Sequence, residues 1–237
     1  MNELYTALRD AGEFYAAELV VNTDRDPLYR YSRAAAAFFE NAALPAYDGG
    51  RLYPCGPSLA GNSRAAVKPD FSFTYSANLG SIAEKVPEAR DVLAAEFSKV
   101  APINTPHTVG GAGYTHSFIN YRRILADGLN GYRARVERLP ESDFRDAMLV
   151  LLDGIETYRQ RCIALLEEAN APADLIAALK KVPNESPDNI YEALVAWNFV
   201  YYVDGCDDIG GLDRGLYPYW NGEDIREYLR EMYRHVD

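Results

Sequence analysis

The most hydrophobic stretch of the chain runs from residue 190 to residue 203, where only Glu192 and Asn198 are polar and no polar face results. Its apolar side chains point in every direction around a 3.6-residue period, which predicts a central helix that is buried on all sides. Ser186 and Pro187 suit the start of such a helix, and Gly205 suits a left-handed stop after it. The chain then becomes polar over residues 206–214. A polar loop that follows a rigid, buried helix is a common place for a functional site.

Apolar stripes at helical spacing predict that most of the remaining chain is also helical. The predicted helices cover residues 2–21, 27–44, 87–100, 120–138, 142–170, a short stretch from Pro172, and 222–237. Two segments rich in Gly, Pro, Ser and Asn separate them, 45–78 and 101–116, and we expect irregular structure there with at most a short strand at Asp70–Ser76. No repeat or linker divides the chain, which predicts one domain over residues 1–237.

Composition narrows the classes of function. The chain of 237 residues is 48% hydrophobic and 25% charged, values that are ordinary for a globular protein. Its net charge of -11 argues against a nucleic-acid or anionic-membrane binder, because either would need a concentrated basic surface. The first 15 residues lack the apolar core of a signal peptide, and no stretch is long enough to span a membrane. We therefore expect a cytoplasmic protein.

Three cysteines, Cys55, Cys162 and Cys206, stand at no metal-binding spacing. An odd number of thiols in a cytoplasmic protein favours reduced cysteines over a disulfide framework or a zinc site. Cys55 in a Pro-Cys-Gly-Pro turn and Cys162 on a helical stripe are expected to be small buried residues. We predict no metal site.

Several motifs of the second half resemble a known family. They are the YEAL sequence at 191–194, the WNF sequence at 197–199, GLDR at 211–214 and LYPY at 216–219. Together they resemble the glycyl radical enzymes, the pyruvate formate-lyase-like family, in which an "EAL…WF" helix leads into a "GRFDQYLYP" turn. Leu212 stands where Phe is usual and Arg214 where Gln is usual. Further segments in the family's order are found at 68–78, 95–100, 107–109, 120–129 and 143–168.

The resemblance implies a fold and a mechanism. The fold would be mainly α with a few short β-strands, as a partial α/β barrel of the ten-stranded glycyl-radical type on a helical scaffold. In the family, a glycyl radical near the carboxyl terminus passes to a mid-chain cysteine, which abstracts hydrogen from substrate. Both parts lie beyond the matched region. Gly113-Tyr114 lacks the preceding arginine of the family's "RVxGY" loop, so we expect no radical there.

The resemblance therefore implies an amino-terminal scaffold and part of a substrate pocket, inactive without the Cys- and Gly-radical-bearing part. It would belong to an anaerobic lyase, dehydratase or formate-lyase (acyltransferase) type of enzyme, either as a fragment or as one subunit of a split enzyme. The implied partners are a complementary carboxyl-terminal chain or a second copy in a homodimer, a small-molecule substrate, and an S-adenosylmethionine-dependent iron–sulfur activating enzyme. No cofactor would be bound directly. An incomplete barrel would leave unpaired strand edges, which favour association.

The candidate substrate contacts lie on two segments. The turn after the central helix contributes the polar residues Asp204, Cys206, Asp207, Asp208 and Arg214. Arg214 could bind a carboxylate or phosphate bidentately, or pair with Asp213 or Asp207. His107 and His116 could line a pocket or satisfy backbone groups of a packed loop. Cys206 and Asp208 are spaced like a thiol with a carboxylate base. A turn whose acidic residues cap the next helix explains the same residues. We therefore assign no catalytic residue.

Two other functions remain open on sequence grounds. The first is a non-catalytic helical binding or interaction protein that keeps the family's scaffold. The second is an unrelated hydrolase or isomerase that uses His107, His116 and the carboxylates of residues 204–208. That enzyme requires those groups to converge within about 2.6–3.2 Å of one another.

Overall fold

The computed structural model of the chain describes residues 2–55, 75–100, 119–204 and 209–236. The regular elements in those ranges are all helical. They are α1 (Glu3–Asp10), α2 (Phe14–Leu19), α3 (Pro27–Asn41), α4 (Tyr75–Lys85), α5 (Ala89–Val100), α6 (Tyr121–Glu137), α7 (Asp143–Glu168), α8 (Ala173–Lys181), α9 (Ile190–Asp204), α10 (Leu212–Leu216), a 3₁₀ turn (Tyr217–Tyr219) and α11 (Arg226–Val236).

The expectation of short strands in a partial α/β barrel is wrong for the described residues, because no strand or sheet occurs there. Their apolar positions recur at helical spacing, and none of these ranges shows the alternation that would bury one face of a strand. Of the predicted strand Asp70–Ser76, residues 70–74 lie outside the described residues, and Tyr75 begins α4 instead. Ser, Asn and Gly lower the helix propensity of that segment. Packing of α4 against α5, with Ile82 fully buried, outweighs this local preference.

Capping residues determine where the predicted helices begin. The predicted start at Pro27 is confirmed, and the Asp26 carboxylate accepts the Leu28 N–H at 2.8 Å. Helix α7 begins one residue after the predicted position 142, and Ser142 caps it with its hydroxyl 3.3 Å from the Arg145 nitrogen. The predicted start of the central helix at Ser186 is wrong. Asn189 caps it instead, because its side chain accepts the Glu192 N–H at 3.0 Å.

The chain forms two compact units. The first unit contains α1 to α5 and the first half of α7, within residues 1–42, 63–116 and 139–155. The predicted helix over 2–21 is divided into α1 and α2 at Gly12, whose φ of 79° interrupts a helix. Helices α3 and α7 approach closely, since a Cβ on Gly154 would lie 2.5 Å from the Ala36 Cα.

Ion pairs that contain at least one buried side chain join segments of the first unit. The Arg30 guanidinium lies 2.6 Å from the Glu96 carboxylate and also donates to the Leu19 carbonyl at 2.7 Å. The Lys85 ammonium lies 2.6 Å from the Glu13 carboxylate, which is almost fully buried. Because a buried charge without a partner is costly, each of these pairs requires its two helices to be in place together.

The second unit contains α6, the second half of α7, and α8 to α11, within residues 43–62, 117–138 and 156–237. Helix α9 lies at its centre and contacts α6, α8 and α10. Helix α6 is kinked at Gly128, which has a φ of 64°. The kink lets the N–H groups of Leu129 and Asn130 donate to the carbonyls of Pro183 and Asn184 at 2.8 and 3.1 Å. The interruption of α6 at Gly128 is therefore stabilised by a tertiary contact.

Candidate functional site

The candidate site begins at the end of the buried helix α9. Its side chains from Ala193 to Tyr202 are all nearly or fully buried, as the continuous apolar pattern predicts. The last residue of the helix is Asp204, and the described chain resumes at Ile209. The predicted polar turn therefore follows directly from the central helix of the second unit.

The indole of Trp197 contacts Ile209, where the described chain resumes. Its ring stacks on the Tyr121 ring with a centroid distance of 4.0 Å and an interplanar angle of 7°. Its Nε1 donates a hydrogen bond of 2.8 Å to the Ile209 carbonyl oxygen. A Cβ on Gly215 would lie 2.1 Å from Trp197 Cζ3, so only glycine fits at that position in α10. One side chain thus joins α6, α9 and α10.

The predicted contact residues are placed only in part. Asp204 ends α9, while Cys206, Asp207 and Asp208 lie outside the described residues, as do His107 and His116. Their convergence, which the hydrolase or isomerase hypothesis requires, is therefore not tested. Arg214 lies on α10 and is exposed, and no ion pair joins it to Asp213 or to another carboxylate of the described ranges. Asp207, the other pairing partner considered for Arg214, lies outside the described residues, so the choice between anion binding and pairing is not tested.

A set of polar contacts that the sequence did not reveal fastens residues 45–55 to α9 and α11. Asn198, fully buried in the apolar helix, donates to the Pro54 carbonyl at 2.8 Å. The Tyr191 hydroxyl donates to the Arg51 carbonyl at 2.9 Å. The Glu231 carboxylate accepts the N–H groups of Arg51 and Leu52, both at 2.7 Å. Asn198 could have been suspected of a buried hydrogen bond, because it is a polar residue inside an apolar helix. The local sequence around Glu231 gives no such indication.

Glu231 is a buried carboxylate with unusual electrostatics. Burial raises its pKa, while the two backbone N–H groups and Arg234 act in the opposite direction, and burial has the larger effect. Its position leaves no space beside Gly50, because a Cβ there would lie 2.2 Å from Glu231 Oε1. The carboxylate thus acts as a structural acceptor for the 50–52 turn.

The described cysteines are unsuited to nucleophilic chemistry. Cys55 and Cys162 are buried and not in disulfides, as their sequence contexts predict. Burial raises the pKa of Cys55 to about 12 and raises that of Cys162 as well. Because the thiolate is the reactive form, both thiols are inert at neutral pH.

Within the described ranges, no cluster of three or more His, Cys, Asp or Glu side chains could hold a metal ion. In the same ranges, no helix has the length and apolar character needed to cross a membrane.

Comparison with known proteins finds similar folds among solved structures only. No family model and no curated protein sequence matches the chain. A solved structure concerned with 1,2-propanediol dehydration in Roseburia inulinivorans matches with a TM-score of 0.67 and 17% identity, over 94% of this chain and 34% of that one. The glycerol-bound B12-independent glycerol dehydratase from Clostridium butyricum matches with a TM-score of 0.66 and 17% identity, over 99% of this chain and 38% of that one.

Both neighbours are dehydratases of the glycyl-radical type. The resemblance found in the sequence motifs is therefore confirmed at the level of fold. The chain spans 34% and 38% of the lengths of these dehydratases, so it corresponds to about a third of their fold.

Proposed function

We propose that this chain provides the amino-terminal helical scaffold and part of the substrate pocket of a glycyl radical enzyme-like protein. The observation that carries the proposal is the fold match, which covers nearly all of this chain and about a third of two glycyl-radical-type dehydratases. The order of the sequence motifs, from YEAL at 191–194 to LYPY at 216–219, also supports the proposal. This support is independent, because the fold match compares backbone positions and does not rest on the identity of those few residues. We also propose that the protein is cytoplasmic.

The chemistry of the radical requires residues outside the matched region. The 237 residues contain no RVxGY sequence, and Gly113-Tyr114 lies outside the described residues. The two described thiols, Cys55 and Cys162, are 1% and 0% exposed, so neither is open to a substrate. The residues present thus do not fit the radical-bearing role, and no radical step is assigned to them. A complementary chain would carry the radical, and an S-adenosylmethionine-dependent iron–sulfur activating enzyme would install it.

The substrate class follows from the structural neighbours. One concerns the dehydration of 1,2-propanediol and the other binds glycerol, so small vicinal diols and triols are the first compounds to test. In this proposal Asp204, Cys206, Asp207, Asp208 and Arg214 face the substrate. Arg214 is exposed and has no carboxylate partner among the described residues, which leaves its guanidinium N–H groups available to donate to substrate hydroxyl oxygens.

An anaerobic activity assay tests the proposal. The 237-residue chain alone, and the same chain co-expressed with the product of the adjoining reading frame and an activating enzyme, are offered glycerol and 1,2-propanediol. We expect aldehyde product and a glycyl radical signal in electron paramagnetic resonance only for the co-expressed pair. Robust turnover by the isolated chain would contradict the proposal. A stable, folded chain that never gains activity with such a neighbour would favour the non-catalytic binding protein.

A further inference from the structure

Trp197 contacts three separate elements of the second unit through different parts of one ring. The face of the indole stacks on Tyr121, the first residue of α6, at 4.0 Å. Its N–H group donates to the carbonyl of Ile209, just before α10. Its outer edge meets the backbone of Gly215 in α10. Each contact uses a different feature of the tryptophan, and no other side chain type supplies all three.

The residues that Trp197 holds come directly after the segments that carry the predicted contacts. Residues 101–118, which include His107 and His116, lead into Ile119, and the Ile119 carbonyl accepts the Tyr121 N–H at 2.8 Å. Residues 205–208 lead into Ile209. Tyr121 and Ile209, which follow these two segments in the chain, therefore both contact the Trp197 ring.

The indole has no space in which to move. Trp197 is 2% exposed, and the tyrosine ring covers one face. A single methyl group added at Gly215 would lie 2.1 Å from Cζ3 and 2.5 Å from Cη2. A displacement of α10 therefore pushes the indole, and a displacement of the indole changes its stack on Tyr121. Rigid side chains packed in this way transmit a shift between elements.

We propose that Trp197 is a positioning residue that couples the start of α6 to the 209–216 segment, which carries the predicted contact residue Arg214. The coupling depends only on the contacts described above. Its relevance to a substrate pocket depends on the proposed function.

The first test replaces the indole and follows backbone amide exchange. Trp197→Phe keeps a ring against Tyr121 but removes the N–H donor and the edge that meets Gly215. We expect amide exchange in residues 119–125 and 209–216 to become roughly fivefold faster, as loss of one hydrogen bond predicts, with α8 unchanged. Trp220→Phe is the matched control, because the Trp220 N–H also bonds a carbonyl, that of Glu223 at 2.7 Å, but the ring is 47% exposed. Unchanged exchange in both segments of a folded Trp197→Phe protein would overturn the proposal.

The second test acts from the opposite side of the indole. Gly215→Ala inserts a methyl group whose nearest neighbours are all atoms of Trp197. Because α10 also contacts α6 directly, faster exchange at 119–125 in this variant can arise by either of two routes, and the double variant distinguishes them. In the double variant Trp197→Phe, Gly215→Ala the smaller ring leaves room for the methyl, and we expect the added effect of Gly215→Ala at 119–125 to disappear. Additive effects would contradict the coupling.

A measurement on the unmodified protein covers the case in which these variants do not fold. Nuclear magnetic resonance distinguishes the two indole N–H signals, with Trp220→Phe as the assignment. We expect slow hydrogen exchange for Trp197 and fast exchange for Trp220. Two fast signals would overturn the proposal, whereas the absence of turnover in the activity assay would not affect this result.

Discussion

Glu156 illustrates, at the scale of single residues, how a network of donors stabilises a charge. Its carboxylate accepts hydrogen bonds from Arg159, Gln160 and Asn184 at 2.7 to 2.9 Å. Burial alone would raise the pKa of Glu156, but these donors outweigh burial and lower it to about 2. Arg159 in turn donates to the carbonyls of Leu179 and Lys180 at the end of α8. The carboxylate therefore helps to hold α7, α8 and residue 184 together.

This network predicts a pH-dependent stability. Because the folded-state pKa of Glu156 lies below its ordinary value of 4.5, its contribution is fully present above that value and is lost as the pH falls toward 2. Glu156→Gln should lower the free energy of unfolding by about 1–2 kcal/mol at pH 7, a modest value because the side chain is 36% exposed. Urea unfolding at pH 7 and pH 3 measures the difference between variant and unmodified protein, which should shrink at pH 3.

The control for this prediction is Glu141→Gln. Glu141 is exposed just before α7, so its replacement should leave the stability difference near zero at both pH values. A Glu156→Gln protein that is as stable as the original at pH 7 would show that the network contributes nothing.

At the scale of secondary-structure elements, the kink of α6 depends on one glycine. Gly128 has a positive φ, and a Cβ there would lie 2.1 Å from the Asn184 carbonyl oxygen. That oxygen accepts the Asn130 N–H, so the close approach of the two backbones is what the kink achieves. A side chain at residue 128 would oppose both the backbone conformation and the approach.

Gly128→Ala should therefore destabilise the protein by roughly 2–4 kcal/mol, combining left-handed strain with overpacking against a backbone that cannot move aside. Gly80→Ala is the matched control, since Gly80 lies in helix α4 with nothing within 4 Å of the added methyl. It should stabilise by up to about 1 kcal/mol through helix propensity. Thermal unfolding followed by circular dichroism measures both. Equal effects in the two variants would mean that the kink is not required.

At the scale of the whole molecule, exposed aromatic side chains support association with a partner. In the second unit, Tyr217 is 71% exposed and Trp220 is 47% exposed, with ring centroids 6.5 Å apart. Unpaired strand edges cannot be the reason for association among the described residues, since no strand occurs there. Large apolar side chains that remain exposed together are typical of interaction surfaces.

Light scattering tests this expectation. The chain alone has a mass of 26.5 kDa, and we expect a larger mass in solution, either for a dimer or for a complex with the co-expressed product of the adjoining reading frame. The double variant Tyr217→Ser, Trp220→Ser should lower the association constant at least about tenfold, since buried aromatic residues dominate interfaces. A monomer at high concentration that also ignores the co-expressed chain would contradict the prediction.

The sequence alone determined most of the helices and the central place of α9. A helix that is apolar on every side can be stable only when buried, and an amphipathic stripe must face a core, so both can be recognised from local spacing. Residues such as Pro27 and Ser142 act within a few positions of the helix they begin, and the predicted starts at 27 and 142 were readable for that reason. The segments of the glycyl-radical-type fold were found in the same way, from short motifs in order along the chain.

Only the tertiary structure decided the features that depend on two distant segments. The Glu231 carboxylate accepts an N–H group 180 positions away at Arg51, and no local pattern encodes such a pairing. The same holds for Gly215, which must be glycine because Trp197 occupies the space of a side chain. Strands were predicted but are absent from the described residues, and local spacing is a poorer guide to them because a strand requires a partner elsewhere in the chain, whereas a helix satisfies its own backbone hydrogen bonds. Helices can be predicted from the spacing of apolar residues close in sequence, but close backbone approaches and long-range hydrogen bonds form only when the chain has folded.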